Sequence, residues 1–108
     1  MIKVGNLDEF DKGWFTGNFE PSLIKTPDIE IGIQTHDIDT KSDGHIHKIA
    51  TEYNFILYGE VILDYNIRLS SDCYWITEPN QKIVVEFTRN TKLLVVKVPS
   101  VPGDKHYE

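Results

Sequence analysis

The stretch Gly44-His45-Ile46-His47-Lys48-Ile49-Ala50-Thr51-Glu52-Tyr53-Asn54-Phe55-Ile56-Leu57-Tyr58-Gly59 carries most of the information in this chain. From Glu52 onward it reads as a strand. Glu52, Asn54, Ile56 and Tyr58 fall on one parity, and Tyr53, Phe55 and Leu57 on the other. Side chains two apart on a strand share a face, so one face is more polar and suits a cavity. The other is apolar and suits sheet packing or a subunit interface. Gly59 permits the bend that ends the strand. His45 and His47 are also two apart, so on extended backbone both imidazoles point the same way. Glu52 follows five residues later. Two imidazoles and a carboxylate converging in one cavity can hold a divalent metal with positions left open for a ligand. The competing reading is a hydrogen-bonded polar cluster with no ligand.

On the N-terminal side, Ile29, Ile31, Ile33 and Thr35 alternate with Glu30, Gly32, Gln34 and His36. That period predicts a half-buried strand. Asp37 to Gly44 reads as a polar loop. On the C-terminal side, Val61–Leu63 and Ile67–Leu69 flank Asp64-Tyr65-Asn66, which predicts a β-hairpin. Ser70-Ser71-Asp72 is a turn, Cys73–Ile76 a strand, and Glu78-Pro79-Asn80-Gln81 another turn. Ile83–Thr88 and Leu93–Val98 are expected to form a last hairpin joined by Arg89-Asn90-Thr91, with Pro99 and Pro102 stopping the final strand. No segment carries a 3.6-residue apolar stripe over ten residues. Seven or eight short strands without a helix predict an all-β sandwich or barrel.

The chain of 108 residues is long enough for one core and too short for two. Residues 1–28 form an aromatic, glycine-bearing arm expected to lay Phe10, Trp14, Phe15 and Phe19 onto the body. Residues 29–99 are the barrel core. Residues 100–108 are a tail, with His106 expected in solvent. Eleven basic against seventeen acidic residues leave a net charge of −6. An acidic chain without a Lys/Arg cluster is a poor match for a phosphate backbone or an anionic membrane, so neither nucleic acid nor membrane is expected as a partner. The N-terminus lacks an apolar signal core. The single cysteine, Cys73, gives no internal disulfide and no thiolate cluster. The simplest address is the cytoplasm.

The His-x-His stretch resembles the first conserved motif of the cupin superfamily, in which His-x-His, three or four residues, Glu, six residues and Gly mark two adjoining strands. Here His45-x-His47 is followed by four residues, Glu52, six residues and Gly59. The resemblance implies a cupin-type jelly-roll β-barrel, often a homodimer, with a site inside the barrel. Departures are visible. The Gly that opens the family motif is Asp39 here. After the turn at Pro79-Asn80-Gln81, the position of the family's fourth ligand, a His, falls on Ile83 or Val84. The implied site is therefore reduced to His45, His47 and Glu52, three ligands for iron, manganese, nickel or zinc. Gln34, His36, Asn54 and Tyr58 are the further candidates for a ligand pocket.

A shorter string, Gly44-His45-Ile46-His47-Lys48, is similar to a motif of sugar 3,4-ketoisomerases, small cupin-like enzymes whose two histidines serve as acid and base without metal. This chain has Glu52 where that group has Gln. Three functions are thus in view. One is a metal-holding cupin that binds a small molecule. The second is a metal-free isomerase or epimerase on a nucleotide-linked sugar. The third is a non-catalytic module that sequesters a ligand.

Overall fold

The computed structural model describes residues 1–42 and 44–107. Asp43, in the predicted polar loop, and Glu108, in the predicted tail, lie outside the described residues. Among the described residues two 3₁₀ turns, Leu7–Glu9 and Asp11–Gly13, precede nine strands. These are β1 (Trp14–Gly17), β2 (Ile24–Lys25), β3 (Glu30–His36), β4 (Thr51–Tyr58), β5 (Glu60–Leu63), β6 (Ile67–Ser70), β7 (Tyr74–Thr77), β8 (Val85–Phe87) and β9 (Thr91–Val98). Among the described residues no helix is long and apolar enough to cross a membrane.

The strands form two sheets, one of order β2-β1-β3-β9-β4-β7 and one of order β6-β5-β8. Their facing sides make the core. Ile56, Trp75, Leu93 and Val95 come from the large sheet, and Val61, Leu63, Val85 and Phe87 from the small one. Each such side chain taken out of water contributes about 1.5–3 kcal/mol. The period-two pattern puts these residues inward and Tyr53, Phe55, Leu57, Tyr74 and Ile76 outward. Val61 to Leu69 forms the expected hairpin, closed at Leu63↔Ile67. Its turn takes positive φ at Asp64 (48°) and Tyr65 (68°). Gly59 ends β4 at φ 108°, where a Cβ would run into Thr91 and Asn90.

Part of the arm joins the large sheet through β1. β1 pairs with β3, and the Trp14 indole covers Gly32, where a Cβ would press on the ring.

Three expectations are corrected. The last two strands are not a hairpin: β8 pairs with β5, whereas β9 runs between β3 and β4. Arg89-Asn90-Thr91 carries the chain from one sheet to the other. Both strands have the same alternation, and alternation does not say which sheet a strand joins. Within the predicted loop, residues 39–42 run along β8. Asp39 N–H donates to Phe87 (2.8 Å), Phe87 N–H to Thr40 (3.0 Å) and Ser42 N–H to Val85 (2.8 Å). Polar side chains do not stop a backbone from satisfying itself at a sheet edge. Asp104 and His106 of the tail do not hang in solvent. Ile46 and His106 exchange both backbone hydrogen bonds, at 2.8 and 2.9 Å, and Asp104 is buried.

Candidate metal centre

His45 and His47 lie on extended backbone outside the named strands, either side of Ile46, which is held by its bridge to His106. Extended geometry sends both rings the same way, and they meet edge to face with centroids 5.0 Å apart and planes at 85°. Glu52, near the start of β4, stands opposite Thr77 of β7 and Lys97 of β9. Its Oε2 is 3.0 Å from His47 Nε2. One ligand atom from each of His45, His47 and Glu52 lies within 4.8 Å of the others. The three border a cavity of about 50 Å³ that Ser42, Trp75, Thr77, Ile83 and Val85 complete. Ile83 is one of the two positions where the resemblance looks for a fourth histidine. The wall there is hydrocarbon.

His47 is 4% exposed, and its Nδ1 lies 2.8 Å from the Asp104 carbonyl. A carbonyl only accepts, so Nδ1 carries the hydrogen. Nε2 is buried and makes no hydrogen bond among the described residues. It faces Glu52 Oε2 at 3.0 Å without hydrogen-bond alignment. Burial pushes the Glu52 carboxyl up, but the His47 ring and the Lys97 ammonium together hold it below the ordinary carboxylate range. Lys97 in turn lies 3.5 Å from Glu30 and over the Trp14 ring at 4.7 Å. Glu30 also accepts the Ser100 hydroxyl at 2.9 Å.

These residues fit a divalent ion. The orphaned Nε2 is a buried lone-pair site, the facing carboxylate is ionised, and a second imidazole is adjacent.

The remaining sequence candidates divide. Asn54 is 2% exposed, one step along the inner face from Glu52, and its Nδ2 makes no hydrogen bond among the described residues. Gln34, His36 and Tyr58 lie elsewhere. On β9, Glu52 faces Lys97, but Gln34 faces Leu93, His36 faces Thr91 and Tyr58 faces Lys92. Four to six residues of strand, about 13–20 Å, separate them from Glu52. Gln34 bonds the Lys12 carbonyl in the arm, His36 stacks on Phe87, and Tyr58 is 50% exposed beyond a bulge. Sharing a strand face with a ligand does not bring a residue to the same end of the strand.

Two residues of the site went unremarked in the sequence. Lys97 had a signal: it breaks the inward apolar parity of Leu93 and Val95. Asp104 had none, because its partners are backbone groups more than fifty residues away.

No protein-family model matches the chain, and no curated protein is similar to it in sequence. Solved structures do match. An uncharacterized conserved protein with a double-stranded beta-helix domain from Klebsiella pneumoniae aligns at 15% identity and TM-score 0.67, over 94% of this chain and 88% of that one. The Cnp3 cupin domain of Schizosaccharomyces pombe aligns at 15% identity and TM-score 0.60, over 70% and 59%. The bacterial pirin YhhW of Escherichia coli, solved in complex with nickel(II), aligns at 17% identity and TM-score 0.64, over 82% of this chain and 39% of that one. These likenesses show the fold.

Proposed function

We propose that this chain, which has the cupin fold, binds a divalent metal ion through His45, His47 and Glu52 and presents it to a small-molecule ligand inside the barrel. The observation that carries this reading is the buried His47 Nε2, without a hydrogen bond and 3.0 Å from an ionised carboxylate oxygen. The nickel of the pirin neighbour is in keeping with it. A bound ion would supply Lewis-acid polarisation of a ligand oxygen. The chain's own residues do the rest. Asp104 orients His47. Trp75, Ile83 and Val85 exclude water from one side, and Thr77 lends a hydroxyl beside Glu52.

The size of the cavity argues about the ligand. About 50 Å³ admits an ion and a few atoms, whereas pockets for drug-sized ligands run to about 300–1,000 Å³. That weighs against a nucleotide-linked sugar and for a ligand of a few heavy atoms. A second copy of the chain is the proposed macromolecular partner, meeting it across the outer face of the large sheet. The cytoplasm is the proposed compartment, in keeping with the lone Cys73, which packs reduced against the core.

The test is titration of chelator-stripped protein with Ni²⁺, Mn²⁺, Fe²⁺ and Zn²⁺ by calorimetry. One ion should bind per chain, and His47→Ala should abolish binding while leaving the circular dichroism spectrum intact. Absence of uptake of all four by the wild-type protein would overturn the reading.

A further inference from the structure

The C-terminal segment is built into the candidate centre from behind. The Asp104 carboxylate accepts the backbone N–H groups of Lys48 (3.0 Å), Ile49 (3.1 Å) and Ala50 (2.9 Å), three consecutive donors of the turn that leads from His47 into β4. The Asp104 carbonyl receives His47 Nδ1 at 2.8 Å. His106 adds a contact of its Nε2 with Asp104 Oδ1 at 3.5 Å, and its backbone pairs with Ile46. One residue thus grips both the ring and the turn that follows it. Asp104 is only 6% exposed. A carboxylate buried to that degree needs the hydrogen bonds it makes, so the grip is rigid.

We infer that Asp104 is a positioning residue for the metal centre: its carboxylate locks the Lys48–Ala50 turn, and its carbonyl fixes the His47 ring with hydrogen on Nδ1 and Nε2 turned toward Glu52. Without that carbonyl the ring is free to rotate and to put its hydrogen on either nitrogen. The metal-facing atom is then present for only part of the time. An outer partner that orients a ligating histidine in this way commonly changes metal affinity by about 10–100-fold.

The affinity half of the test rests on the proposed metal centre, and the spectroscopic half does not. Long-range ¹H–¹⁵N spectra of the metal-free protein at alkaline pH report which ring nitrogen of His47 carries hydrogen. In the wild-type chain the hydrogen should be on Nδ1. Asp104→Ala keeps the backbone carbonyl but releases it from the Lys48–Ala50 turn, so the carbonyl is no longer held at His47 Nδ1. The spectrum should then shift toward a mixture of the two tautomers, with Ni²⁺ affinity down at least tenfold. Asp104→Asn, which keeps one accepting oxygen for the turn, should recover part of both. A role in stability alone would lower the melting temperature of Asp104→Ala but leave the His47 spectrum and the affinity of the folded protein unchanged, and that result would overturn the inference. Should Asp104→Ala not fold, the wild-type spectrum still decides: hydrogen on Nε2 would overturn it. If the wild-type chain shows the Nδ1 hydrogen yet binds no ion, the metal centre fails and the orientation of His47 by Asp104 stands.

Discussion

His47 owes its orientation to a carbonyl 57 residues away, and this marks how far single residues can be read from the chain. The common side of His45 and His47 was legible, because i and i+2 on extended backbone must share a side. Glu52, an odd number of residues from both, was grouped with them by the resemblance to the cupin motif. The partner that chooses between the two ring nitrogens was not legible, because a backbone carbonyl leaves no trace in residue identity. His36 is the converse case. It shares a parity with inward residues and was a pocket candidate, but its ring stacks on Phe87 with centroids 4.1 Å apart and planes at 9°. Burial holds its pKa below the ordinary 6.5, against a smaller opposing pull from Asp37. The unfolded chain therefore binds a proton there more readily than the folded one. The contribution of His36 to stability is complete above pH 6.5 and is lost as pH falls below it toward the depressed folded value. His36→Phe keeps a stacked ring without the proton site. Its urea midpoint should fall less than that of the wild-type chain between about pH 8 and about pH 5.5. Equal losses in the two proteins would show that His36 titrates alike in both states.

At the scale of elements, β9 decides the electrostatics of the site. It lies between β3 and β4, and its register sets Lys97 opposite Glu30 on one side and Glu52 on the other. The ammonium is held toward β3 by Glu30 and by the Trp14 face, while Glu52 faces His47. Glu30 is 8% exposed, so removal of its cation leaves a largely buried carboxylate that accepts the Ser100 hydroxyl. Lys97→Met should therefore destabilise the fold by about 1–3 kcal/mol in chemical denaturation. An unchanged midpoint would mean that Ser100 suffices. The strands themselves were legible from alternation and turn residues. The order of the large sheet was not. Its fourth strand in space, β9, is the last in sequence, and the short Arg89-Asn90-Thr91 link looks the same whether it closes a hairpin or crosses to another sheet.

At the scale of the molecule, the outer face of the large sheet stands without a covering layer among the described residues. Two rows cross it: Ile31, Val96, Tyr53 and Ile76, then Ile33, Leu94, Phe55 and Tyr74. Phe55, Leu57, Tyr74 and Ile76 are 38–61% exposed. The rows contain no charge, and in a chain of net charge −6 such a face is where two identical copies can meet without repulsion. Light scattering should give twice the chain mass. Phe55→Glu, which puts two carboxylates at the proposed contact, should give the single-chain mass with the fold intact. A wild-type monomer at tens of micromolar would remove the dimer.

The all-β class, the hairpin at Asp64-Tyr65-Asn66, the alternation of β4 as far as its bulge and the common side of the two imidazoles were determined by the sequence alone. Each follows from local backbone geometry, which a side-chain period of two exposes directly, whereas Glu52 was placed with the imidazoles by the resemblance to the cupin motif. Only the tertiary structure decided which sheet β8 and β9 join, which end of the barrel Gln34, His36 and Tyr58 occupy, and that Lys97 stands opposite Glu52 and Asp104 against His47. These depend on pairing between segments distant along the chain, where backbone hydrogen bonds make the contact and any residue can supply them.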